Sequence, residues 1–456
     1  MNSAQVISLF TQSLVKIGPD MRPVNDLAIQ HSDIGSREFR FKLPPNANFH
    51  DGSVLDCEDV LASFEQASGE GSRIRSSFEI VSTMKCESPL DFVVQLSEAK
   101  ASFLAADLAM VKIIPKEIAS STDRAAPIGS GPYKFYKREN RDIIFKKFHS
   151  FIRYENGKKV EHPYFFDTIV VRSIQDPTTR WLSLRSGEVD ALINALSAQK
   201  VEEARLVDSL IVHEKAGNSF QYLGMNLRLD LFKNPKVRQA IAHSIDRDTI
   251  IEHKLNNLAT LASSVLSPLN YYHRKDLPNY PFNLDKARSL LKEAGIQNPQ
   301  IELKTSTDKD MYSIILVIQD QLEKAGFKVS LRPYEFATFF SDVKKGNFEM
   351  FSLRWVSVVE PDILYKIFHS SQTPPGRNRV YFEHKEFDAL VEKGARESDI
   401  KKRKIYYDKA QEIVARELPY IPLWYPKNIA VTSSRIKDFD LSPIGTWDSL
   451  VRARKE

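Results

Sequence analysis

The sequence predicts a mixed α/β protein that contains more than one hydrophobic core. Segments in which apolar residues alternate with period two are interspersed, along the whole chain, with segments that follow the helical period. The chain has 456 residues, which is more than one compact core usually serves, so we expect two or more core-bearing units. Hydrophobic residues make up 42% and charged residues 27% of the chain, as in ordinary globular domains.

The first half of the chain is predicted to contain more strands than helices. Glu38–Leu43 alternates polar and apolar side chains, as a half-buried strand does, and the two prolines that follow end it. Asp56 is predicted to cap a helix that begins near Glu58. Further strands are predicted over Asp91–Leu96, Asp142–Phe145 and Thr168–Ile174, and a further helix over Thr178–Arg185.

The clearest signals in the second half are those of helices. Asn234 and Pro235 suit the N-cap and the first position of a helix, and the apolar residues from Val237 to Ile245 recur at helical spacing. Leu418–Tyr425 is apolar, aromatic and rich in proline, which favours a buried connection over a flexible linker. Further helices are predicted over Leu284–Ala294, Met311–Lys324, Glu386–Arg396 and 399–417.

Charge and hydropathy argue against nucleic-acid binding and against membrane insertion. The net charge of +5 comes from 64 basic and 59 acidic residues, so the surface is mixed in sign and shows no long basic block. No stretch approaches the roughly 18 apolar residues that cross a bilayer. Met1–Phe10 also lacks the basic and apolar regions of a signal peptide. From these residues alone the chain would stay in the cytoplasm.

Few residues suggest a metal site or a disulfide. The ten histidines are scattered, and no Cys/His pair has zinc-finger spacing, so we expect no metal and no cofactor. The two cysteines, Cys57 and Cys86, could pair only if the fold brought their Cα atoms within about 7 Å. We favour two separate thiols.

Motifs for catalysis are also weak, and we expect no enzymatic activity. Gly129–Tyr133 is glycine-rich, but a proline and strand-like residues follow where a phosphate-binding loop would open a helix, so we predict a turn. His50 and Asp51 could form half of a triad, but no nucleophile motif accompanies them.

Aromatic residues are the more suggestive feature, with 27 Phe, 16 Tyr and 4 Trp. Rings that carry a polar atom suit a cleft for a small molecule or a peptide, because they give a large contact area at a low entropic cost. Taken singly, each is more often a packing residue than a ligand contact. Those near predicted strand ends or in loops are Tyr222, Tyr271, Tyr272, Trp355, Trp424 and Tyr425.

Several motifs, in order, resemble the dipeptide/oligopeptide-binding proteins (family 5) among the extracytoplasmic solute-binding proteins of bacterial ABC importers. The match runs from about Phe10 to Trp447, and the ordered set is more specific than any one motif. Its most distinctive part is Asn234–Arg247, which resembles the family's V-R-Q-A-I-x-x-x-I-D-R helix. The other parts are Phe49–Ser53 with Glu58–Phe64, Gly129–Tyr133, Tyr407–Gln411 and Leu418–Leu423.

The resemblance implies an α/β, two-lobed periplasmic-binding-protein fold of the large class, with an extra subdomain and a hinge between the lobes. Lobe one would comprise residues 1–225, with the subdomain at about 30–150, and lobe two residues 226–425. Residues 426–456 would return to lobe one. The crossovers would fall near Tyr222–Asn226 and Trp424–Pro426. Arg238 and Asp246–Arg247 would lie on the polar side of their helix and serve as scaffold.

In the family the ligand lies between the lobes, and six residues are our candidates for binding it here: Tyr222, Asn226, Arg354, Trp355, Ser357 and Tyr425. Family members commonly carry W-x-x-D-Y-x-D/E-P, whose first Asp binds the α-ammonium of a peptide. Aligning Glu360-Pro361 with that motif puts Ser357 at the anchor, whereas aligning Trp355 puts Val358 there. Neither is a carboxylate, so we expect a ligand without a free ammonium at that position.

The resemblance thus implies a monomer that captures a peptide or peptide-like solute and delivers it to the permease subunits of an ABC transporter. It would work in the periplasm or on the outer face of the cytoplasmic membrane. A sensory or scaffolding protein that reuses the fold is the alternative, and a hydrolase on an unfamiliar fold is a third. Because the family normally begins with an export signal and a first strand that are not seen here, we expect the native protein to be longer and exported.

Overall fold

The computed structural model shows strands and helices alternating along the chain, as the sequence predicts. It describes residues 6–72, 74–120, 127–155, 158–160, 165–447 and 449–456. Within these residues the strands span Val15–Ile17, Pro23–Asn25, Gln30–Ile34, Glu38–Lys42, Val81–Ser88, Asp91–Leu96, Tyr133–Glu139, Asp142–Lys147, Arg153–Glu155, Lys158–Val160, Thr168–Arg172, Ala191–Ile193, Leu210–Lys215, Phe220–Met225, Ala259–Leu261, Gln300–Ser306, Lys328–Tyr334, Met350–Trp355, Tyr420–Pro426, Asn428–Ser433, Ile436–Lys437 and Arg454–Lys455.

Helices separate many of these strands. The α-helices span Cys57–Ser68, Phe103–Ala106, Lys116–Ala119, Pro177–Arg185, Ala198–Arg205, Asp230–Lys233, Pro235–Ser244, Arg247–His253, Leu284–Glu293, Lys309–Lys324, Phe336–Lys345, Ile363–Phe368, Lys385–Arg396, Ile400–Glu417 and Ser449–Arg452. Short 3-10 helices span Arg75–Phe78, Leu108–Met110 and Ser370–Gln372. The predicted strands and helices are therefore present, with ends that differ by a few residues.

One six-stranded sheet forms the centre of lobe two. Its strands lie in the order Ala259–Leu261, Tyr420–Pro426, Phe220–Met225, Met350–Trp355, Gln300–Ser306 and Lys328–Tyr334. One buried cluster contains Leu223 and Ile318, and a second contains Tyr222 and Tyr407. Because Tyr222 and Leu223 are neighbours on one strand, they point to opposite faces of the sheet. The two clusters therefore cover both faces.

Smaller sheets form lobe one. The four-stranded sheet has the order Gln30–Ile34, Glu38–Lys42, Asp91–Leu96, Val81–Ser88, and the helix Cys57–Ser68 contacts it. A second sheet has the order Thr168–Arg172, Asp142–Lys147, Tyr133–Glu139, and a third the order Ala191–Ile193, Asn428–Ser433, Leu210–Lys215. Asn428–Ser433 is the middle strand of the third sheet, so the chain after Pro426 pairs again with strands from its first half.

The chain passes between the lobes twice. Leu210–Lys215 belongs to the third sheet of lobe one and Phe220–Met225 to the sheet of lobe two, so we place the first crossover at 216–219. The second crossover is at Lys427, which separates the strands Tyr420–Pro426 and Asn428–Ser433. The crossover expected from the sequence, at Tyr222–Asn226, is a few residues later along the chain. Every residue of that strand is buried, so no alternation reveals the sheet to which it belongs.

Buried arginines hold the helix that carries the most distinctive motif. Asn234 caps this helix by accepting a hydrogen bond from the N–H of Lys236, as predicted. Arg238 donates to the carbonyl oxygens of Phe232 and Glu417, at 2.7 and 2.6 Å, and Arg247 donates to that of Pro422 at 3.1 Å. Each arginine is only 5% exposed. They are buried rather than on a polar face, because carbonyl groups of neighbouring segments satisfy their donors.

Cys57 and Cys86 form a disulfide, so the expectation of two separate thiols is wrong. Cys57 opens the helix Cys57–Ser68, which packs against the strand Val81–Ser88 that carries Cys86. This packing places their Cα atoms 5.8 Å apart, within reach of a disulfide. The sequence does not show the proximity, because tertiary packing creates it.

Candidate ligand-binding cleft

A cleft of about 970 Å³ lies between the two lobes. Lobe one lines it with residues drawn from segments 8–17, 24–31, 105–112, 151–154 and 444–446, and lobe two with residues from 355–366 and with Arg377. The volume is within the range of small-molecule and cofactor sites. Two walls from different lobes allow a ligand to contact both at once.

The lobes also contact each other beside the cleft. The N–H of Ala101 in lobe one donates to the carbonyl oxygen of Ala395 in lobe two, at 2.8 Å. Glu98 forms an ion pair with Arg396 at 3.5 Å, close to this hydrogen bond in sequence. These contacts join parts of the chain far from both crossovers, so the lobes in this structure are closed on at least one side of the cleft.

The turn predicted at Gly129–Tyr133 positions one edge of the lobe-one wall. A Cβ atom on Gly129 would lie 2.0 Å from the carbonyl oxygen of Phe10, so no larger residue fits there. The N–H of Gly131 donates to the same oxygen at 3.0 Å. The turn thereby fixes the backbone immediately before Thr11 and Gln12, which line the cleft.

His50 supports that turn through both of its ring nitrogens. Its Nε2 lies 2.9 Å from the carbonyl oxygen of Gly131, and its Nδ1 accepts a hydrogen bond from the N–H of Gly129. Burial lowers the pKa of His50, which favours the neutral imidazole that such an acceptor needs. The His50 side chain thus has a structural role in the turn.

Asp26 is an acidic residue of the lobe-one wall. One of its carboxylate oxygens accepts a hydrogen bond from the N–H of Ser13 at 3.0 Å, and the other lies 3.5 Å from Nζ of Lys16. Lys16, Lys112 and Arg153 also line this wall. Asp26 therefore already has a cationic partner.

Trp355 and the loop after it form one part of the lobe-two wall. Trp355 ends the strand Met350–Trp355 and is half-buried. The guanidinium of Arg379 lies 5.0 Å from the centre of its ring. Ser357 is exposed to the cleft and has a φ of 52°, whereas Val358 is 3% exposed and its N–H donates to the carbonyl oxygen of Asn218. Of the two possible anchor positions, Ser357 is the accessible one.

Glu360 and Asp362 line the cleft but are bound to Arg403. Their carboxylates lie 2.8 and 3.3 Å from the guanidinium, and the hydroxyl of Tyr407 donates to Asp362. Burial raises the pKa of Glu360 to about 7. Burial acts in the same direction on Asp362, but the charge of Arg403 and the hydrogen bond from Tyr407 outweigh it and lower the pKa of that carboxyl.

The same wall carries two basic side chains that form no ion pair within the described residues. Lys366 is half-buried and Arg377 is exposed. Within the described residues, which include all of 165–447, no carboxylate oxygen lies within 4.0 Å of either side chain. The field from Lys366 does contribute to lowering the pKa of Glu360 and Asp362. Sequence reasoning missed both residues, because neither belongs to a motif. Only the fold brings them to the wall that contains Trp355.

The structure brings two of the six predicted binding residues to the cleft, Trp355 and Ser357. Tyr222 is fully buried and stacks on Tyr420, with ring centres 3.9 Å apart. Asn226 is buried and donates to the carbonyl oxygens of Gly346 and Phe348, at 3.4 and 3.0 Å.

The other two predicted residues, Tyr425 and Arg354, are also absent from the cleft wall. The hydroxyl of Tyr425 is buried and lies 2.6 and 2.9 Å from the carbonyl oxygens of Ser264 and Leu266, to which its single proton can be donated. Arg354 precedes Trp355 on a strand, so it points to the opposite face of the sheet. The placements of Tyr222, Asn226, Tyr425 and Arg354 in the cleft therefore need correction: three pack in the core and one faces away.

The described part of the chain shows neither a metal cluster nor a membrane-spanning helix. No three His, Cys, Asp or Glu side chains in it are grouped as metal ligands would be. No helix in it combines the length and the apolar character that a bilayer crossing requires.

Comparison with known proteins assigns the family. The profile described as bacterial extracellular solute-binding proteins, family 5 Middle, matches residues 22–374. The oligopeptide-binding protein AppA of Bacillus subtilis is 27% identical over 90% of this chain and 79% of its own length. The glutathione-binding protein GsiB of Pectobacterium atrosepticum is 26% identical over 97% of this chain and 88% of its own.

A solved structure agrees in fold over the whole chain. The periplasmic binding protein DppA of Helicobacter pylori, in complex with the peptide STSA, superposes with a TM-score of 0.84 and 25% identity. The alignment covers 100% of this chain and 94% of that one. The two-lobed periplasmic-binding-protein fold predicted from the motifs is thereby confirmed. This chain belongs to the bacterial extracellular solute-binding proteins of family 5.

Proposed function

We propose that this protein captures a peptide or peptide-like solute between its lobes and delivers it to the permease of an ABC importer. The observation that carries the proposal is the cleft of about 970 Å³ with walls from both lobes. A ligand that contacts both walls stabilises the closed arrangement, and a permease can recognise that arrangement. Three relatives are named for binding oligopeptides, glutathione or a peptide, which supports a ligand with peptide bonds.

The acids of the cleft support a ligand without a free α-ammonium. A buried ammonium needs a charged partner, because an isolated buried charge is very costly. Asp26 has Lys16 as a partner, and Glu360 and Asp362 share Arg403. A blocked or cyclic peptide, a cell-wall fragment or another peptide-like solute suits this wall better than an ordinary free dipeptide does.

Fluorescence of Trp355 tests the capture of a ligand directly. The purified protein is freed of bound solute by unfolding and refolding and is then titrated with pools of N-acetylated and free peptides. Binding in the cleft should change the emission of the wild type and leave that of Trp355→Phe nearly unchanged. Calorimetry on both proteins controls for lost affinity. Scattering should show a more compact particle with ligand, and the absence of any peptide-dependent change would contradict the proposal.

The site of action is proposed to be outside the cytoplasmic membrane, in the periplasm or on its outer face. Family membership and the disulfide Cys57–Cys86 support this, because disulfides persist in oxidising compartments. Trapping of free thiols in intact cells should find neither cysteine reactive. Free thiols at both positions in freshly lysed cells would contradict the proposal.

Partnership with a permease distinguishes transport from the alternative, a sensory or scaffolding protein that reuses the fold. A monomer loaded with ligand should stimulate ATP hydrolysis by its reconstituted transporter, and the ligand-free protein should do so less. Genes for a permease and an ATPase beside that of the protein would indicate which transporter to reconstitute. A regulator or receptor kinase in their place would favour the sensory role.

A further inference from the structure

The net positive charge of the chain is concentrated in one short part of lobe one. Residues 133–172 include ten Lys and Arg residues but only five Asp and Glu residues. This excess of five equals the net charge of the whole chain, so the remaining residues are balanced in sign. The same part of the chain forms the sheet with the strands Thr168–Arg172, Asp142–Lys147 and Tyr133–Glu139. A local excess of charge produces a field that an even mixture of charges does not.

This sheet buries one face and exposes the other. Tyr133 and Phe145 point to the inner face and belong to a buried cluster. Because side chains alternate along a strand, Lys134 and Lys146 point the other way, and both are exposed. The exposed side, hereafter the outer face, carries Lys134, Tyr136, Lys137, Lys146 and Val170.

Two lysines of the outer face lie directly opposite each other. Lys134 is paired in register with Lys146 on the neighbouring strand, and like charges at opposed positions of a sheet destabilise it. Neither lysine forms an ion pair within the described residues. The ring of Tyr136, whose centre is 4.0 Å from Nζ of Lys146, stabilises that ammonium but does not neutralise it. An external anion bound to the two lysines would relieve this repulsion.

A bulge adds an aromatic ring to the outer face. The register of the first two strands shifts between Phe135 and Lys137, so Tyr136 is an extra residue in its strand. Tyr136 is 53% exposed, and Val170 on the third strand is 51% exposed. The outer face therefore presents aromatic and aliphatic groups beside its lysines.

The acids of the outer face lie at the other end of the strands and are paired. Glu139 forms an ion pair with Lys137, and Asp142 forms one with Arg172, each at 2.8 Å. Ion pairs between exposed side chains are weak, so Lys137 can exchange Glu139 for an external anion. At the end that carries Lys134 and Lys146 the charge remains positive.

We propose that the outer face binds the anionic headgroups of a phospholipid membrane. Lys134, Lys137 and Lys146 contact the phosphate groups, and the Tyr136 ring lies at the boundary between the headgroups and the acyl chains. Lysines are flexible point charges that suit a fluid array of headgroups, whereas a fixed carboxylate on a protein favours the planar fork of arginine. Tyrosine suits a surface that is apolar on one side and wet on the other. These features favour a lipid surface over an acidic protein.

The inference goes beyond the capture of a solute and rests only on the proposed site of action outside the cytoplasmic membrane. Contact through the outer face holds lobe one against the bilayer in which a permease would lie. The search for the permease is then confined to two dimensions. Electrostatic attraction of this kind is reversible, because the charges remain close to water.

Sedimentation with lipid vesicles tests the proposal. The whole chain is mixed with vesicles of phosphatidylcholine alone or of equal parts phosphatidylcholine and phosphatidylglycerol, and the bound fraction is measured at low and high salt. We expect binding to the anionic vesicles that salt weakens, and little binding to the neutral ones. Polyglutamate, added at the same salt concentrations, measures the affinity for an acidic polypeptide.

Two double variants separate the outer face from net charge. Lys134→Gln/Lys146→Gln should weaken binding to the anionic vesicles about tenfold or more. Lys401→Gln/Lys402→Gln removes the same charge from two exposed lysines of lobe two and should change the affinity by less than about twofold. All four lysines are exposed, and circular dichroism checks the folding of each variant.

The variant Tyr136→Trp reports whether this ring meets the lipid. Brominated lipids quench an indole that lies at the boundary of the acyl chains. The emission of Tyr136→Trp on anionic vesicles should therefore be quenched more than that of the wild type, whose four tryptophans lie elsewhere in the chain. Equal quenching of the two proteins would contradict the proposed orientation.

Three other results would overturn the inference. Equal losses in the two double variants would show that net charge alone attracts the protein to the vesicles. Equal binding to neutral and anionic vesicles would exclude a role for the headgroup charge. Binding to polyglutamate without binding to the anionic vesicles would indicate an acidic protein as the partner. The capture of a solute is measured separately by the fluorescence of Trp355, so each of these results leaves the proposed function standing.

Discussion

The two lobes that face each other across the cleft are stabilised by different chemistry. Lobe two has one six-stranded sheet with a large buried cluster on each face, and charged residues such as Arg403 lie inside it. Lobe one is divided among smaller sheets with separate clusters, and the disulfide Cys57–Cys86 links a helix and a strand in its subdomain. A small core gains more from a covalent link than a large one does.

This difference separates the requirements of the fold from those of the ligand. In lobe two the acids of the wall are fixed by Arg403, which lies in the core. In lobe one the equivalent support comes from the Gly129–Tyr133 turn and from the disulfide, and neither carries charge. The lobes should therefore respond to different perturbations: lobe two to the loss of a charge or to pH, and lobe one to reduction.

Arg403→Met should have the largest effect on stability. It would leave Glu360 and Asp362 buried beside each other without a cation, which typically costs about 3–5 kcal/mol. Arg416→Met, on the same helix Ile400–Glu417, removes an exposed arginine and should change the free energy of unfolding by less than about 0.5 kcal/mol. Urea unfolding of both variants measures the difference. Similar values for the two would show that the cluster does not stabilise lobe two.

Removal of the disulfide should be the next largest effect and should be confined to lobe one. Cys57 and Cys86 are 29 residues apart in sequence, and a loop of that length corresponds to about 3–4 kcal/mol of stabilisation. The double variant Cys57→Ser/Cys86→Ser should lose about this much. Hydrogen exchange should locate the loss in the sheet that contains Asp91–Leu96.

The matched control for this prediction is the reducing agent itself. It should destabilise the wild type and have no effect on the double variant. Faster exchange in the six-stranded sheet of lobe two, rather than in lobe one, would contradict the assignment of the disulfide to the local stability of the subdomain.

The pH dependence of stability should expose Glu360. Its folded pKa is raised from 4.5 to about 7, so the folded protein holds a proton that the unfolded chain releases. The stability from this group is present in full below about pH 4.5 and is lost as the pH rises to about 7. Glu360→Gln should remove this loss. The difference in the free energy of unfolding between the variant and the wild type should therefore change by about 2–3 kcal/mol between pH 4.5 and 8.

The contribution of Asp362 to stability should show the opposite dependence on pH. Its pKa is lowered below 3.8, so the stability that it contributes is lost only as the pH falls through that lower value. Unfolding curves of the wild type and Glu360→Gln at several pH values isolate the contribution of Glu360 from those of the histidines. A difference that does not vary with pH would show that Glu360 is ionised throughout.

Local signals in the sequence predicted the elements well and the cleft only in part. Asp91–Leu96 and the helix after Asn234 could be predicted because alternation, caps and helical spacing are properties of the local chain. The disulfide could not, because the packing of a helix on a strand brings Cys57 and Cys86 together. Lys366 and Arg377 reach the cleft from segments whose own patterns carry no sign of a binding site.

One placement in the candidate site depends on the strand Met350–Trp355, which the sequence analysis did not predict. Arg354 and Trp355 are neighbours on that strand, so only one of them can face the cleft. The aromatic residues Tyr222 and Tyr425 were harder to assign, since a ring with a polar atom suits a core with a buried acceptor as well as a binding wall. Burial distinguishes the two, and burial is a property of the fold.

The smallest expected effect is a gain of affinity from a new anchor in lobe two. Ser357 is exposed to the cleft and lies in the left-handed region, with a φ of 52°, which Asp tolerates better than most residues do. Ser357→Asp would place a carboxylate on a wall whose other carboxylates are bound to Arg403, so that a free α-ammonium could bind it. We expect free tripeptides to bind about tenfold tighter, or about 1.4 kcal/mol, relative to their N-acetylated forms.

Two control variants make that result specific. Ser357→Asn has nearly the same shape without the charge and should leave the ratio of free to acetylated affinities unchanged. Val358→Asp would bury its carboxylate, because Val358 is 3% exposed, so it should destabilise the protein without improving the binding of free peptides. Calorimetry on the three variants with one peptide pair decides between the two alignments. A gain at Val358 with none at Ser357 would show that the anchor position follows Trp355 rather than Pro361.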